Sequence, residues 1–224
     1  MGKNKLMRFA ENKTFEHFFQ PSFEELIKGF PLKGKWHTDF FGNYNPIIIE
    51  LGCGKGEYTV SLAERYPDKN FIGIDKKGAR IWRGGKTSKE NGMRNVAFIR
   101  TQIEQIGHIF GPDEVAEIWI TFPEPQPRNA KAKKRFTSPQ FAERFKQLLK
   151  PDGIIHLKSD SDLFYDYTLS VINEYQHELL YSNNDLYQNL DDPKIQDVIA
   201  VQTFYEKMWL AQGCKIKYLE YQLK

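Results

Sequence analysis

From Ile47 onward the chain alternates short apolar runs with longer stretches of helical spacing, and this alternation is the strongest constraint on its fold. Apolar runs of this length are typical of strands that are buried on both faces of a parallel sheet. Strands are predicted at 47–51, 70–74, 96–100, 116–121 and 154–159, with helices at 56–65, 77–90, 103–109 and 138–150. Strands joined by helices form right-handed crossovers, so the pattern predicts an α/β fold with a doubly wound, mostly parallel sheet.

The flanking regions are less regular. Residues 1–45 are polar and aromatic without a clean period, and they are interpreted as an N-terminal extension with one or two short helices, ahead of a main domain over 46–224. Beyond residue 160 the pattern weakens. It predicts a helix near 162–175, a strand near 177–183, a helix near 203–212 and a last strand near 215–222.

Composition excludes several classes of protein. No run approaches the roughly 18 apolar residues of a membrane span, so a cytoplasmic protein without membrane contact is expected. Cys53 and Cys214 stand far apart and outside any CxxC, which favours reduced thiols. The five histidines lack metal-ligand spacing, so no metal is predicted. The sequence leaves the oligomeric state open.

Three glycines follow the first predicted strand at a spacing of two: Gly52, Gly54 and Gly56. Glycine at a strand's carboxyl end lets the backbone turn tightly and lets a ligand approach without meeting a Cβ atom. The second strand ends in Asp75, where a carboxylate can accept hydrogen bonds from both hydroxyls of a ribose. Together these features predict an adenosyl ligand.

Two acids distinguish between adenosyl ligands. A dinucleotide fingerprint would place its third glycine at residue 57, but Glu57 stands there and would repel a pyrophosphate. Glu50, just before the loop, offers negative charge to a ligand that bears an amino group and a sulfonium. S-adenosylmethionine therefore fits this loop, and a nicotinamide dinucleotide does not.

The fourth predicted strand runs into Phe122-Pro123-Glu124-Pro125, whose prolines hold Glu124 on a rigid turn facing the ligand site. A run of five bases without an acid follows: Arg128, Lys131, Lys133, Lys134 and Arg135. A second acid-free run, of six bases, lies between Lys76 and Lys89, although the net charge is only +3. Such runs are usually solvated faces. Beside a rigid carboxylate they favour a neutral or cationic acceptor group embedded in a polyanion.

The order of these motifs resembles that of the bacterial tRNA (guanine-N7)-methyltransferase family. The resemblance covers roughly residues 33–212 and rests on Glu50-Leu-Gly-x-Gly-x-Gly56, Phe122-Pro-Glu-Pro125 with its basic run, Lys158-Ser-Asp160 and Thr203-Phe-Tyr-Glu206. The chain departs from the family where Glu124 replaces the common Asp, Gln126 replaces a Trp, and Lys207-Met208 replaces an Arg-Gly pair.

The resemblance implies a Rossmann-like class I methyltransferase whose usual target is guanine 46 in the tRNA variable loop. It implies that S-adenosylmethionine is bound by Glu50, Asp75, Gln102 and Glu124 beside the glycine loop, and that the substrate nucleotide is bound by Arg128, Asp160, Thr203 and Glu206. Glu124 is the expected catalytic residue, because a carboxylate would stabilise the positive charge that the purine gains. Other roles stay open for three of these residues: Asp160 could be the N-cap of the following helix, and Thr203 with Glu206 could form a capping box.

Two other functions are compatible with the same fold. A methyltransferase acting on a small molecule would keep the fold, but the basic run at 128–135 argues against it. A non-catalytic RNA-binding module on the same fold is disfavoured because the glycine loop, Glu50, Asp75 and Glu124 are all intact. The sequence therefore predicts an enzyme with tRNA as its partner.

Overall fold

The computed structural model describes residues 3–224 and places the strands of that range in a single sheet. The strands are β1 Phe18–Phe19, β2 Ile47–Leu51, β3 Asn70–Asp75, β4 Val96–Arg100, β5 Val115–Thr121, β6 Leu149–Ser159, β7 Glu178–Asn183 and β8 Lys217–Gln222. Their order across the sheet is β1-β4-β3-β2-β5-β6-β8-β7. β1 to β6 pair in parallel, and β8 pairs antiparallel with both β6 and β7. The predicted doubly wound, mostly parallel α/β fold is confirmed.

Helices flank the sheet. They are α1 Lys3–Asn12, α2 Phe23–Lys28, α3 Glu57–Arg65, α4 Gly78–Glu90, α5 Pro139–Lys146, α6 Asp162–Glu174, α7 Gln196–Ala200 and α8 Phe204–Ala211. A π-helical turn covers Trp36–Phe41, and two 3₁₀ helices cover Ile103–His108 and Asn129–Lys134. None of the helices between residues 3 and 224 is long and apolar enough to cross a bilayer.

One predicted helix–strand boundary was wrong. The helix expected at 138–150 ends at Lys146, and β6 begins at Leu149 although 154 was expected. Leu149 pairs with Val115 and Ile154 pairs with Glu117, so the turn-like residues between Leu149 and Ile154 are extra residues in the β5–β6 register. They form a bulge inside the strand, because the chain stays extended on both sides of it.

The N-terminal residues contribute to the core of the sheet. Trp36 is fully buried, and its indole Nε1 donates to the carbonyl of Ile109 over 3.1 Å. The buried carboxylate of Glu114 accepts from the backbone N–H groups of Gly34, Trp36 and Gly111 at 2.7–2.9 Å. These bonds satisfy the polar backbone groups of a segment that buries its aromatic side chains.

Helix α1 lies against the start of α4. The Asn12 amide donates to the carbonyl of Gly78 over 3.0 Å, and the Trp82 indole donates to Glu11 over 2.7 Å. The guanidinium of Arg8 lies over the Trp82 ring, 4.6 Å from its centre. The first turn of α4, which borders the cleft described next, is therefore fixed by α1.

Candidate active site

A cleft of about 770 Å³ opens at the carboxyl ends of β2, β3, β4 and β5. In a doubly wound sheet, ligands bind at this edge because the crossovers on the two sides diverge there. Eight of the residues predicted for the site lie on its wall: Glu50, Gly52, Gly54, Asp75, Gln102, Glu124, Asp160 and Thr203. Gly56, Arg128 and Glu206 do not.

Glu50 lies at the closed end of the cleft with 4% of its surface exposed. Its Oε2 accepts from the backbone N–H of Thr59 over 3.0 Å and from the Thr59 hydroxyl, while Oε1 accepts from the Thr121 hydroxyl over 2.6 Å. Burial raises the pKa of Glu50 to about 7, although these bonds favour the charged form. A cation placed against this carboxylate would stabilise its ionised form.

The glycine loop adopts a backbone that side chains disfavour. Gly52, Gly54 and Gly56 all have positive φ, at 74°, 58° and 70°. Gly56 caps α3, and a Cβ atom there would lie 2.7 Å from the Phe98 ring, so its role is packing. The N–H of Gly54 donates to Asp75 Oδ2 over 3.0 Å. The loop and the acid predicted to hold a ribose are thus bonded to each other.

Asp75 ends β3 and keeps acceptor capacity for a ligand. Its Oδ1 accepts from the N–H of Lys77 over 2.7 Å, so each carboxylate oxygen has one backbone partner. Because each oxygen has further lone-pair sites, a diol can still donate to it. Gln102 follows β4 and is exposed on the same wall.

Glu124 stands on the turn after β5. Phe122 and Gln126, on either side of Pro123–Pro125, both have φ of 47°, a left-handed backbone that is unusual for residues other than glycine. The Gln126 amide donates to Glu124 Oε2 over 3.2 Å. Two of the departures from the family pattern, Glu124 and Gln126, are therefore in contact, and the amide orients the longer acid.

Arg135 holds this turn from behind. Its Nε donates to the carbonyl of Pro125 over 3.2 Å, and its Nη2 donates to that of Gln126 over 3.0 Å. The side chain is buried, with its guanidinium 4.3 Å from the centre of the Tyr167 ring. The sequence groups Arg135 with four other bases in the run at 128–135, and the structure separates it from them because its side chain faces inward.

Asp160 and Thr203 border the cleft from the other side. Ser161, not Asp160, caps α6, because its hydroxyl accepts from the N–H of Phe164 over 3.2 Å. Thr203 caps α8 by accepting from the N–H of Glu206 over 3.2 Å. The N-cap alternative for Asp160 was therefore wrong, whereas Thr203 both caps a helix and faces the cleft.

Glu206 lies behind the wall, with none of its surface exposed. Its Oε1 is 2.7 Å from Lys158 Nζ and accepts from the Tyr187 hydroxyl over 2.7 Å, and Lys158 Nζ also donates to the carbonyls of Val198 and Val201. Burial lowers the pKa of Lys158, and the adjacent Glu206 counteracts part of that shift. A full capping box would also need the Thr203 N–H to donate to the Glu206 side chain. Here the Glu206 side chain pairs with Lys158 instead, so only half of the box is formed.

Several residues of the site were missed from the sequence. Thr59 and Thr121 bond Glu50, and Tyr205 and Trp209 extend the wall along α8. The spacing of Tyr205 and Trp209 carries no signal, because α8 is held at the cleft by contacts with distant segments. One of these is the N–H of Phe204, which donates to Glu57 Oε2 over 2.8 Å. Glu57 was singled out only for what its charge excludes.

Comparisons with known proteins identify the family of this chain. A family model described as a putative methyltransferase matches residues 44–219. A tRNA (guanine-N(7)-)-methyltransferase of Christiangramia forsetii is 55% identical over 223 residues, with 99% of each chain covered. The chain belongs to the tRNA (guanine-N7)-methyltransferase family.

Two further comparisons give lower identities. A member of the tRNA (guanine-N7)-methyltransferase family from Bacteroides thetaiotaomicron is 47% identical, with all of this chain and 87% of the relative covered. Among solved structures, the 16S rRNA methyltransferase KamB superposes with a TM-score of 0.62 at 10% identity, covering 91% of this chain and 94% of its own. At that identity the likeness shows the fold alone.

Proposed function

We propose that this chain transfers a methyl group from S-adenosylmethionine to N7 of a guanine in tRNA, and that the guanine is number 46 of the variable loop. One observation carries the proposal: in a chain of this family, three acids line a single cleft. They are the buried Glu50, Asp75 at the position expected to bind a ribose, and Glu124 on its rigid turn. The cytoplasmic location, the absence of a bound metal and the choice of guanine 46 stay predictions.

The donors and acceptors of the inner cleft fit S-adenosylmethionine. Glu50 would hold its ammonium group, since a desolvated carboxylate gains most from a cation. Asp75 would accept from the ribose hydroxyls, and the Gln102 amide would bond the edge of the adenine. When bound, the cofactor supplies an electrophilic methyl group on a sulfonium.

The acceptor needs positioning more than proton transfer. Guanine N7 carries an in-plane lone pair and no proton, so no base has to precede its attack. Alignment of N7 with the methyl group makes the transfer effectively intramolecular, which can lower the barrier by several kcal/mol. Glu124 would stabilise the positive charge that the purine gains and could accept hydrogen bonds from its N1 and N2 edge.

The remaining predicted residues surround the acceptor position. Asp160 and Thr203 lie on the cleft wall and are proposed to contact the nucleotide directly. Arg128 is exposed at the start of the 3₁₀ helix and would contact the RNA backbone next to the target nucleotide. Glu206 is proposed to act through Thr203, because it supplies the N–H that Thr203 binds. A guanine must leave its stack to enter the cleft, as expected for chemistry on a base.

The proposal is tested with tritiated S-adenosylmethionine and unmodified tRNA transcripts, followed by nucleoside analysis. We expect 7-methylguanosine from a transcript with guanine 46 and none when that base is replaced by adenine. Glu124→Gln should keep the fold and most of the cofactor affinity while it lowers methyl transfer in single turnover. The matched control Glu143→Gln, at an exposed acid on α5, should leave transfer unchanged. Methylation of another atom, or none by the unaltered chain, would refute the proposal.

A further inference from the structure

The first basic run of the sequence, between Lys76 and Lys89, has no role in the function proposed above, and the structure divides it into two parts. Lys86 lies 3.4 Å from Glu11 and 3.9 Å from Glu90, and Lys89 lies over the ring of Phe15. At the other end of the run, three exposed bases line the cleft without an acidic partner within 4.0 Å among residues 3–224: Lys76, Lys77 and Arg80.

A second set of bases borders the same cleft from a separate element. Lys131 and Lys134, on the 3₁₀ helix, are exposed on its wall and likewise have no acidic partner in the described range. The wall also carries acids, but Glu50 and Asp75 are buried and Glu57 is 3.8 Å from Lys55. Of the other acids on the wall, Glu104 and Glu124 are exposed and Asp160 is half-buried. The mouth of the cleft is therefore basic and its closed end acidic.

The cofactor does not account for five unpaired bases. S-adenosylmethionine carries a sulfonium, an ammonium and one carboxylate, so its net charge is positive and it offers a single group to a cation. A polynucleotide that places one base in a pocket has a phosphate on each side of that base. Unpaired lysine and arginine side chains are the usual partners of such phosphates.

We infer that Lys76, Lys77 and Arg80 form a second phosphate-binding rim, which binds the RNA backbone on one side of the target guanine while Lys131 and Lys134 bind it on the other. The inference rests on the proposed function, since it takes tRNA as the substrate.

The backbone beneath this rim is fixed before any RNA binds. The N–H of Lys77 donates to Asp75 over 2.7 Å, and the carbonyl of Gly78 accepts from Asn12 over 3.0 Å. A fixed backbone leaves only side chains to be ordered on binding, which lowers the entropic cost of association. The rim is also bonded to the acid that would hold the cofactor ribose, so both ligands meet at one rigid turn.

The test compares two double variants on the same helix and its lead-in. Lys76→Gln with Lys77→Gln removes two charges from the rim, whereas Lys86→Gln with Lys89→Gln removes two charges that already have partners. Tritiated tRNA binding is measured from about 50 to 300 mM salt. Each phosphate contact contributes about 0.7 to 0.9 to the slope of log affinity against log salt, so the rim variant should flatten it by about one to two.

The control pair should leave that slope unchanged, and cofactor affinity measured by calorimetry should stay within about twofold in both variants. A rim variant with the slope of the unaltered chain overturns the inference, and so does an equal loss in rim and control variants, because the effect would then follow net charge alone. If the unaltered chain binds tRNA without salt dependence or does not methylate it, the proposed function itself has failed.

The two-sided arrangement is tested with stem-loop RNAs that carry neutral methylphosphonate linkages either 5′ or 3′ of the target guanine. The rim variant should be insensitive to neutral linkages on one side only, and Lys131→Gln with Lys134→Gln should be insensitive to those on the other. The two-sided arrangement would be contradicted if both variants were insensitive to neutral linkages on the same side of the guanine. It would also be contradicted if both variants stayed sensitive to neutral linkages on both sides.

Discussion

Replacing Glu50 with Gln should make the cofactor-free protein more stable at neutral pH while it weakens cofactor binding. The shape of the side chain is retained: its carbonyl can accept from Thr59, and its amide can donate to the Thr121 hydroxyl in place of the bond that this hydroxyl now donates. What changes is the charge. Burial raises the pKa of Glu50 from 4.5 to about 7, so the folded chain resists ionising it.

The sign and size of the effect follow from proton linkage. Because the folded pKa lies above the unfolded one, the folded chain keeps a proton between about pH 4.5 and 7 that the unfolded chain has released. The stability contributed by this group is therefore present below pH 4.5 and is lost as pH rises through 7. At about 1.4 kcal/mol for each pH unit of that window, the loss amounts to roughly 3 kcal/mol.

This loss of stability is measured by urea unfolding of the unaltered chain and of Glu50→Gln at pH 4.5, 6, 7 and 8. Glu50→Gln should match the unaltered chain at the lowest pH and exceed its free energy of unfolding by up to about 3 kcal/mol at pH 8. Calorimetry at pH 8 should show weaker cofactor binding, because the ammonium group has lost its counter-charge. A stability difference that does not change with pH would refute the reasoning.

Three further variants probe other parts of the site. Asp75→Ala should weaken cofactor binding by about 1.5–3 kcal/mol, the range for hydrogen bonds to a charged group, and unchanged calorimetric affinity in a folded variant would remove it from the site. Arg135→Lys should slow methyl transfer, because it loses hydrogen bonds to the Pro125 and Gln126 carbonyls. The salt slope of tRNA binding should change little, because Arg135 contacts no phosphate, and a flattened slope would instead make Arg135 an RNA contact. Lys158→Met should cost about 3–5 kcal/mol in urea unfolding because it leaves Glu206 charged and buried, and joint replacement with Glu206→Gln should recover part of that loss.

The strands and the cofactor side of the site were predictable because both depend on local pattern. Apolar runs predicted β2 to β5 within a residue at each end, and two of the residues predicted to share an adenosyl ligand, Gly54 and Asp75, lie next to each other. A buried parallel strand needs only its own residues to be recognised, and a loop at its carboxyl end is brought to the cleft by the topology.

The rest depends on contacts between distant segments. β1 spans only two residues and has no period, so its pairing with β4 leaves no signal in the sequence. The sequence also does not show which way a single basic side chain points. Arg135 and Lys134 are neighbours in one basic run, yet Arg135 is buried against carbonyls and Lys134 is exposed on the cleft wall. Composition gives the charge of a run, whereas packing decides which member faces inward.

The attachment of α1 to α4 bears on how the protein is prepared for biochemical work. Removing residues 3–12 would take away the partners of the Gly78 carbonyl and of the Trp82 indole, and the turn next to Asp75 would lose its support. Cofactor affinities measured on such a shortened protein would report the loss of that support as well as the chemistry of the cleft.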